Sequence, residues 1–253
     1  MFNAIVTKTG SVFETTFQGC LHAFSPKYEA KEIKQFNVVD WALMAIMLLA
    51  QLIVFFSVHD YSTGAIISLV AGLTMVVSLI FVNKGLLSNY AWGLISAIAW
   101  LVIAMMNHQI GSTYTQYFYI VMQFVGMYFW QKDMNTNNSD HVHAKRLTRL
   151  QFILVLLAAV VLYFILNRNI AANDGVLPLF EAALLPLGIV GQILMSFGQR
   201  SQWLFWITIN VLNVVIYIHL LQQDQAGSTT MLMTNIIMLL NSFYGTYQWM
   251  KEN

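Results

Sequence analysis

Four side chains with binding chemistry recur at helical spacing within residues 201–220. Steps of three and four residues place side chains on one face of an α-helix, and here they form a stripe of two indole rings and two amides: Trp203, Trp206, Asn210 and Asn213. The segment is otherwise apolar enough to enter a bilayer, where an amide needs a protein partner or a wet cavity. The stripe therefore faces protein or a pore. Two interpretations remain open, a binding surface and polar contacts between packed helices.

Two other segments carry amides at similar spacing. Gln116 and Gln123 are seven residues apart, which is almost two helical turns, so they stack along one helix face. Asn241 forms a further stripe with Gly245 and Trp249. Amides hydrogen-bond hydroxyls and carboxamides, and indole faces hold planar or cationic rings. The pocket predicted from these residues is neutral and aromatic, and it suits a nucleoside or a sugar.

Tryptophans near the ends of apolar segments have a second interpretation. Such rings often anchor a helix at the membrane surface. We interpret Trp41, Trp130 and Trp249 in this way.

Glu181 is the only charged residue inside a predicted span, and it lies between Pro178 and Pro186. Intramembrane carboxylates are rare and usually functional. Three roles remain open for Glu181: charge pairing with a cation, proton transfer or gating, and a protonated structural group.

The rest of the sequence carries little chemistry. The single cysteine, Cys20, excludes an internal disulfide and a cysteine metal cluster. The histidines show no metal-ligand spacing, and His141-x-His143 is interpreted as a solvated loop. No phosphate-binding loop or nucleophile motif is present, and a net charge of +1 implies no attraction to nucleic acid. We therefore expect neither an enzyme nor a metal, cofactor or nucleic-acid partner.

Composition places the chain in a membrane. It has 253 residues, of which 58% are hydrophobic and 9% charged, whereas soluble domains are about 25% charged. A membrane span needs roughly 20 mainly apolar residues. We predict an all-α integral membrane protein with eight transmembrane helices at residues 41–58, 63–83, 90–107, 113–131, 151–167, 176–197, 203–220 and 229–250.

The distribution of basic residues predicts the orientation. With eight spans, both termini lie on one side of the membrane, and that side is cytoplasmic by the positive-inside rule. Only Arg168 falls on the other side. The basic residues on the cytoplasmic side are Lys8, Lys27, Lys31, Lys34, Lys84, Lys132, Lys145, Arg146, Arg149, Arg200 and Lys251.

Residues 1–40 precede the first span and do not read as a signal peptide. Apolar side chains repeat every three or four residues at Phe13, Phe17, Leu21 and Phe24. This spacing predicts a short amphipathic helix on the cytoplasmic membrane surface. A flexible tail is the alternative.

Internal similarity suggests a repeat. Trp92 with Ser96 mirrors Trp206 with Asn210, and a glycine four residues before a tryptophan ends both 113–131 and 229–250. The two triplets are parallel because an additional span separates them. The predicted architecture is one extra helix plus 3+1+3, with these segments: 1–40 amphipathic segment, 41–62 extra helix and loop, 63–131 first triplet, 132–167 loop and linker helix, 168–253 second triplet and C-terminus.

Three motifs together resemble a known family. The Trp-x-x-Trp-x-x-x-Asn run at 203–210, Ser-Asn-Tyr at 88–90 and Gly126-x-x-x-Trp130 are similar to those of the nicotinamide riboside transporters, PnuC. The resemblance covers about residues 63–251. It implies a fold related to the SWEET sugar transporters and uptake of this vitamin B3 form by facilitated diffusion with alternating access. It further implies trapping by cytoplasmic phosphorylation for NAD biosynthesis, the bacterial inner membrane, and a homo-oligomer such as a trimer.

The same resemblance implies the substrate-binding residues. They are Trp203, Trp206, Asn210, Asn213, Gln116, Gln123, Asn241 and Trp92. Two alternatives remain open: a sugar or other nucleoside transporter on the same scaffold, and a non-transporting receptor or assembly subunit whose amides only join helices.

Overall fold

The computed structural model describes residues 2–106, 108, 110–167, 177–223 and 228–251. Within these ranges the regular structure is helical, with only an isolated β-bridge between Lys145 and Gln199. The helices are α1 Phe2–Ala23, α2 Pro26–Ile33, α3 Val38–Val58, α4 Thr63–Asn83, α5 Asn89–Met106, α6 Ile110–Asn137, α7 Arg149–Asn167, α8 Pro178–Ser196, α9 Gln202–Gln222 and α10 Ser228–Lys251.

Helices α3 to α10 overlap the eight segments predicted as spans, and the number of spans stays a prediction. Within the described ranges, five of these helices are long and apolar enough to cross a membrane, namely α3, α4, α5, α9 and residues 149–166 of α7. The chain is therefore a multi-pass, all-helical membrane protein. The clearest difference in length is at α6, which continues to Asn137 although the predicted span ends at residue 131. Hydropathy measures how much of a helix is apolar, whereas polar residues such as Lys132 and Asp133 can extend the same helix into water.

Local capping sets several helix boundaries. The Asn37 side chain accepts hydrogen bonds from the backbone N–H groups of Val39 and Asp40, and the Asp40 carboxylate accepts one from Asn37 N at 2.7 Å. This reciprocal capping box fixes the start of α3. Between α4 and α5, Gly85 has φ of +64°, a left-handed conformation that glycine adopts without steric cost.

The chain divides into two compact units. The first contains Met1–His143 and Ser196–Gly198, and the second contains Ala144–Met195 and Gln199–Asn253. In the second unit, a core of Ala159, Val190, Leu194 and Phe205 packs α7, α8 and α9 together.

In the first unit, α1 packs against the end of α6. A Cβ at Gly19 would lie 2.8 Å from the backbone oxygen of Met127, so the two helices are in backbone contact. The Cys20 Sγ atom lies 3.6 Å from Met127 Sδ, and His22 Nδ1 lies 3.1 Å from Gln131 Oε1.

The opposite side of α1 is apolar and exposed. The side chains predicted to form its amphipathic stripe are all solvent-accessible: Phe13, Phe17, Leu21 and Phe24. Residues Phe2–Ala23 form an α-helix, and the amphipathic segment 1–40 stays a prediction. Contact of this stripe with the membrane surface stays a prediction.

The short helix α2 fixes the start of α5. Both carboxylate oxygens of the buried Glu32 accept backbone hydrogen bonds, one from Leu87 N at 2.9 Å and one from Ser88 N at 3.2 Å. One turn earlier, Glu29 Oε1 accepts a hydrogen bond from Trp92 Nε1 at 2.9 Å. Burial raises the pKa of Glu32 to about 7, although the hydrogen bonds from Ser88 and Leu87 oppose this shift.

A second buried carboxylate holds the same turn. Asp40, at the start of α3, is fully buried and lies 3.2 Å from Lys84 Nζ. Residues 26–40 are therefore part of the packed structure of the first unit.

Two of the three predicted interface anchors are core residues. Trp130 is 0% exposed and meets the ring of Tyr90 edge-on, with the centroids 4.9 Å apart. Trp249 is 1% exposed and meets Trp203 in the same way at 6.3 Å. The anchor interpretation is wrong for both, because each tryptophan finds an aromatic partner on a neighbouring helix. Trp41 is 47% exposed, as an anchor would be.

Candidate functional site

The stripe on α9 lies inside the second unit. Trp203 is buried at the start of the helix, and Trp206, Asn210 and Asn213 are half-buried along the same face. Within the described part of the chain, Trp203 Nε1 has no hydrogen-bond partner although it is fully buried. A buried donor without a partner costs about 1–3 kcal/mol. An acceptor supplied from outside the chain would remove that cost.

Asn210 makes one contact across the helix pair α9 and α10. Its Nδ2 atom donates to Ser242 Oγ at 2.8 Å, and Ser242 Oγ donates to Met238 O at 3.0 Å. One N–H of Asn210 therefore joins two helices, as the packing interpretation predicts. A carboxamide has a second N–H and an acceptor oxygen, so this contact leaves capacity for a ligand.

Trp206 packs against a glycine of α8. A Cβ at Gly191 would lie 3.3 Å from Trp206 Cε2 and 3.4 Å from Cζ2. The indole ring therefore occupies space that any larger residue at position 191 would restrict.

The two glutamines belong to α6 of the first unit. Gln116 is half-buried, and Gln123 is 7% exposed. The Oε1 atom of Gln123 is buried and has no hydrogen-bond partner among the described residues. A Cβ at Gly93 of α5 would lie 2.9 Å from this atom and 3.2 Å from the hydroxyl of Ser78, which itself donates to Asn89 O at 2.9 Å. Gln123 thus presents a buried acceptor that a donor group of a ligand would satisfy.

The remaining predicted residues differ in their surroundings. The Trp92 indole N–H is already bonded to Glu29, as described above. Asn241 is 1% exposed on α10, next to Ser242. Glu181 falls within α8, and its side chain lies outside the part of the chain that the structure describes.

The described part of the chain contains no metal-ligand cluster near these residues. Among the described residues, no group of three His, Cys, Asp or Glu side chains is close enough to hold a metal ion. The candidate residues themselves are uncharged amides and indoles. They can donate and accept hydrogen bonds and can stack on a flat ring, but they offer no nucleophile or general base.

Sequence reasoning missed three kinds of residue near these side chains. No spacing pattern distinguishes Ser242 beside Asn241, and Gly93 and Gly191 carry no side-chain chemistry that would mark them. Glu29 and Glu32 lie three residues apart on one helix face. That spacing was the available signal, but it is shared by many solvated helices.

Comparison with known proteins decides the family. A family model described as "Nicotinamide mononucleotide transporter" matches residues 65–251. A nicotinamide riboside transporter PnuC from Neisseria mucosa is 30% identical over 83% of this chain and 80% of its own length. The chain belongs to the PnuC family.

Other PnuC proteins agree with this assignment. The nicotinamide riboside transporter PnuC of Haemophilus influenzae is 28% identical over 86% of this chain and 91% of its own length. A crystal structure of a vitamin B3 transporter PnuC matches with a TM-score of 0.71 at 27% identity, covering 90% of this chain and 97% of that one. The similarity thus extends beyond the range of the family model into the N-terminal part.

Proposed function

We propose that this chain imports nicotinamide riboside across the bacterial inner membrane by facilitated diffusion. The observation that carries the proposal is the Trp203-x-x-Trp206-x-x-x-Asn210 face of α9 in a chain of the PnuC family, where the buried indole N–H of Trp203 has no partner in the part of the chain that the structure describes. Relatives named nicotinamide riboside transporters match over most of their length. Alternating access and trapping by cytoplasmic phosphorylation complete the proposed mechanism.

The chemistry of the candidate residues suits this substrate. The nicotinamide ring of the riboside is a flat cation, which indole faces attract by stacking and cation–π contact. The ribose hydroxyls and the carboxamide match amide side chains such as Asn210, Asn213 and Gln123. We propose that Trp203, Trp206, Gln116, Asn241 and Trp92 also contact the substrate at some stage of transport. Glu181 is proposed to attract the pyridinium charge or to take part in gating.

The riboside is favoured over its mononucleotide by charge. A phosphate group needs Arg, Lys or a cluster of backbone N–H donors, and none of the candidate substrate residues is basic. The description of the family model names the mononucleotide, so this ligand is the most informative comparator.

The proposed architecture is one extra helix plus 3+1+3, with both termini in the cytoplasm. Two left-handed glycines support the repeat, since Gly85 and Gly198 are 113 residues apart with φ of +64° and +68°. Each glycine precedes a helix, α5 or α9, whose second residue packs edge-on against a tryptophan of the next helix. The two pairs are Tyr90 with Trp130 and Trp203 with Trp249. The spacing of 113 residues aligns Ser88 with Ser201. The sequence-based match of Trp92 with Trp206 has a spacing of 114 residues, so the two alignments differ by one residue. The segments 63–131 and 168–253 are proposed as the triplets, 132–167 as the linker, and a homo-oligomer such as a trimer as the assembly.

Calorimetry on detergent-purified protein tests the substrate. Nicotinamide riboside is compared with nicotinamide, nicotinamide mononucleotide and glucose. Saturable binding of the riboside, with the others at least tenfold weaker, is the expected result. A preference for glucose or another nucleoside would replace the substrate, and absence of all binding by folded protein would favour the receptor or assembly-subunit alternative.

A further inference from the structure

Gly93 and Gly191 lie in the interior of helices α5 and α8, where the backbone conformation does not require a glycine. A glycine inside a helix is less favourable than alanine by about 1 kcal/mol. Among the described glycines, Gly85 and Gly198 have the positive φ that favours glycine, and these two helical glycines do not. The reason for glycine at positions 93 and 191 must therefore be space.

At Gly93 the space is used by the amide of Gln123. A Cβ at this position would lie 2.9 Å from Gln123 Oε1, 3.3 Å from its Cδ and 3.2 Å from Ser78 Oγ. Contacts of 2.9 Å are too short for a real Cβ, so the added methyl must displace something. The amide is the free end of a flexible side chain, and it moves more easily than the helix backbone.

At Gly191 the space is used by the ring of Trp206. A Cβ there would lie 3.3 Å from Trp206 Cε2, 3.4 Å from Cζ2 and 3.3 Å from Phe205 Cβ. The ring would have to shift by a few tenths of an ångström. Each unit thus has one helical glycine whose empty side meets a candidate substrate residue.

We propose that Gly93 and Gly191 are positioning residues for transport, which set the placement of the Gln123 amide and the Trp206 ring. This inference rests on the proposed function. The other helical glycines with contacts below 3.0 Å meet residues outside the candidate set: Gly72 meets the amide of Gln51, whereas Gly19 and Gly126 meet the backbone of Met127 and the ring of Tyr90. Those two serve helix packing, whereas Gly93 and Gly191 determine where an amide and an indole present themselves.

Gly93→Ala tests the first position. We expect the dissociation constant for nicotinamide riboside to rise about tenfold, because the displaced amide no longer meets its ligand group, a change equivalent to about 1.4 kcal/mol. Gln123→Ala alone should also weaken binding. In the Gln123→Ala background, Gly93→Ala should have no further effect on affinity, since the group it acts through is gone.

Gly191→Ala and Trp206→Ala form the same double-mutant cycle in the second unit. Gly191→Ala should weaken riboside binding only when Trp206 is present.

Two glycine variants serve as controls. Gly64→Ala adds a methyl with only ordinary contacts, 3.8 Å from Met106 Cε and 3.9 Å from Ser62 Oγ. Gly72→Ala also displaces a glutamine amide, since its Cβ would lie 2.6 Å from Gln51 Oε1. Neither control should change the affinity.

The outcomes separate this inference from the proposed function. If the wild-type protein does not bind the riboside, the proposed function itself is rejected. Wild-type affinity in Gln123→Ala would reject the role of Gln123, and with it the role of Gly93. Weak binding of Gln123→Ala together with unchanged binding of Gly93→Ala would overturn the positioning role while the function stands. Equal losses from Gly93→Ala in both backgrounds would overturn it too.

Thermal unfolding keeps the test decisive if Gly93→Ala does not fold. If the amide is the only clash, Gly93→Ala/Gln123→Ala should fold and unfold at nearly the temperature of Gln123→Ala. Failure of that double variant would show that the methyl clashes with the helices themselves and would overturn the proposal. Gln123→Asn retracts the amide by one methylene while Gly93 is intact, and it should weaken riboside binding.

Discussion

Asn210 and Ser242 share one hydrogen bond, yet we expect their removal to have different consequences. Asn210→Ala and Ser242→Ala both delete the 2.8 Å contact between α9 and α10, which contributes about 1 kcal/mol to stability. If Asn210 also holds the substrate, only Asn210→Ala should abolish riboside binding. Calorimetry together with melting temperature separates the two effects. Gln222→Ala, at the exposed end of α9, is the control. If Asn210→Ala and Ser242→Ala bind the riboside with equal affinity, Asn210 serves only to join α9 and α10.

Trp203→Phe removes an indole N–H that has no hydrogen-bond partner among the described residues. In the absence of ligand we expect only a small net change in thermal stability, because the loss of a buried unpartnered donor, unfavourable by about 1–3 kcal/mol, offsets the cavity that the smaller ring leaves beside Trp249. In the presence of riboside we expect a smaller rise in melting temperature than the wild type shows. A ligand-induced rise in melting temperature equal to that of the wild type would show that the indole N–H does not meet the riboside.

At the residue scale, spacing identified the α9 face but not its surroundings. The period of Trp203, Trp206 and Asn210 depends only on helix geometry, so it is visible in the sequence. The bond from Asn210 to Ser242 and the space at Gly191 depend on which helices pack together. Trp130 and Trp249 show the same limit, because their burial is decided by Tyr90 and Trp203 on other helices.

At the scale of elements, the docking of α2 on α5 makes stability depend on pH. The pKa of Glu32 is about 7 in the folded protein, above its ordinary value of 4.5. The folded state therefore binds this proton more tightly than the unfolded state does. The stability that protonated Glu32 contributes is fully present below about pH 4.5 and is lost as the pH rises to about 7.

Glu32→Gln removes this dependence. From pH 5 to pH 7 the melting temperature of Glu32→Gln should rise relative to that of the wild type. Above pH 7 the difference between the two should stay constant. Glu14→Gln, at an exposed position of α1, is the matched control. His22 lies 3.8 Å from Glu32, and burial lowers its pKa, so His22→Gln should be included. Parallel curves for wild type and Glu32→Gln would reject the titration of Glu32.

The hydropathy of residues 26–33 could not have predicted this docking. Four of the eight side chains of α2 are charged, and a helix of that composition is usually solvated. The long helices were predictable because about 20 apolar residues in a row have few alternatives to a membrane span. The start of α3 was also visible in principle, since Asn37 and Asp40 have capping-box spacing.

At the scale of the whole molecule, the charge of the substrate makes an uncoupled carrier sensitive to voltage. One elementary charge that crosses 100 mV gains about 2.3 kcal/mol. Proteoliposomes with an inside-negative potential of that size should therefore accumulate the riboside cation by about fiftyfold, and dissipation of the potential should release it. A proton gradient alone should have no effect. Accumulation driven by the proton gradient would show ion coupling and would point to a proton-carrying group such as Glu181.

Cys20 is the only thiol in the chain, and it lies where α1 meets α6. Burial raises its pKa, so the docked thiol should react slowly with maleimides at neutral pH. The native protein thus carries a single attachment point for a fluorophore or a spin label, without any engineered cysteine. The rate of labelling, measured with and without riboside, would report how often α1 separates from α6.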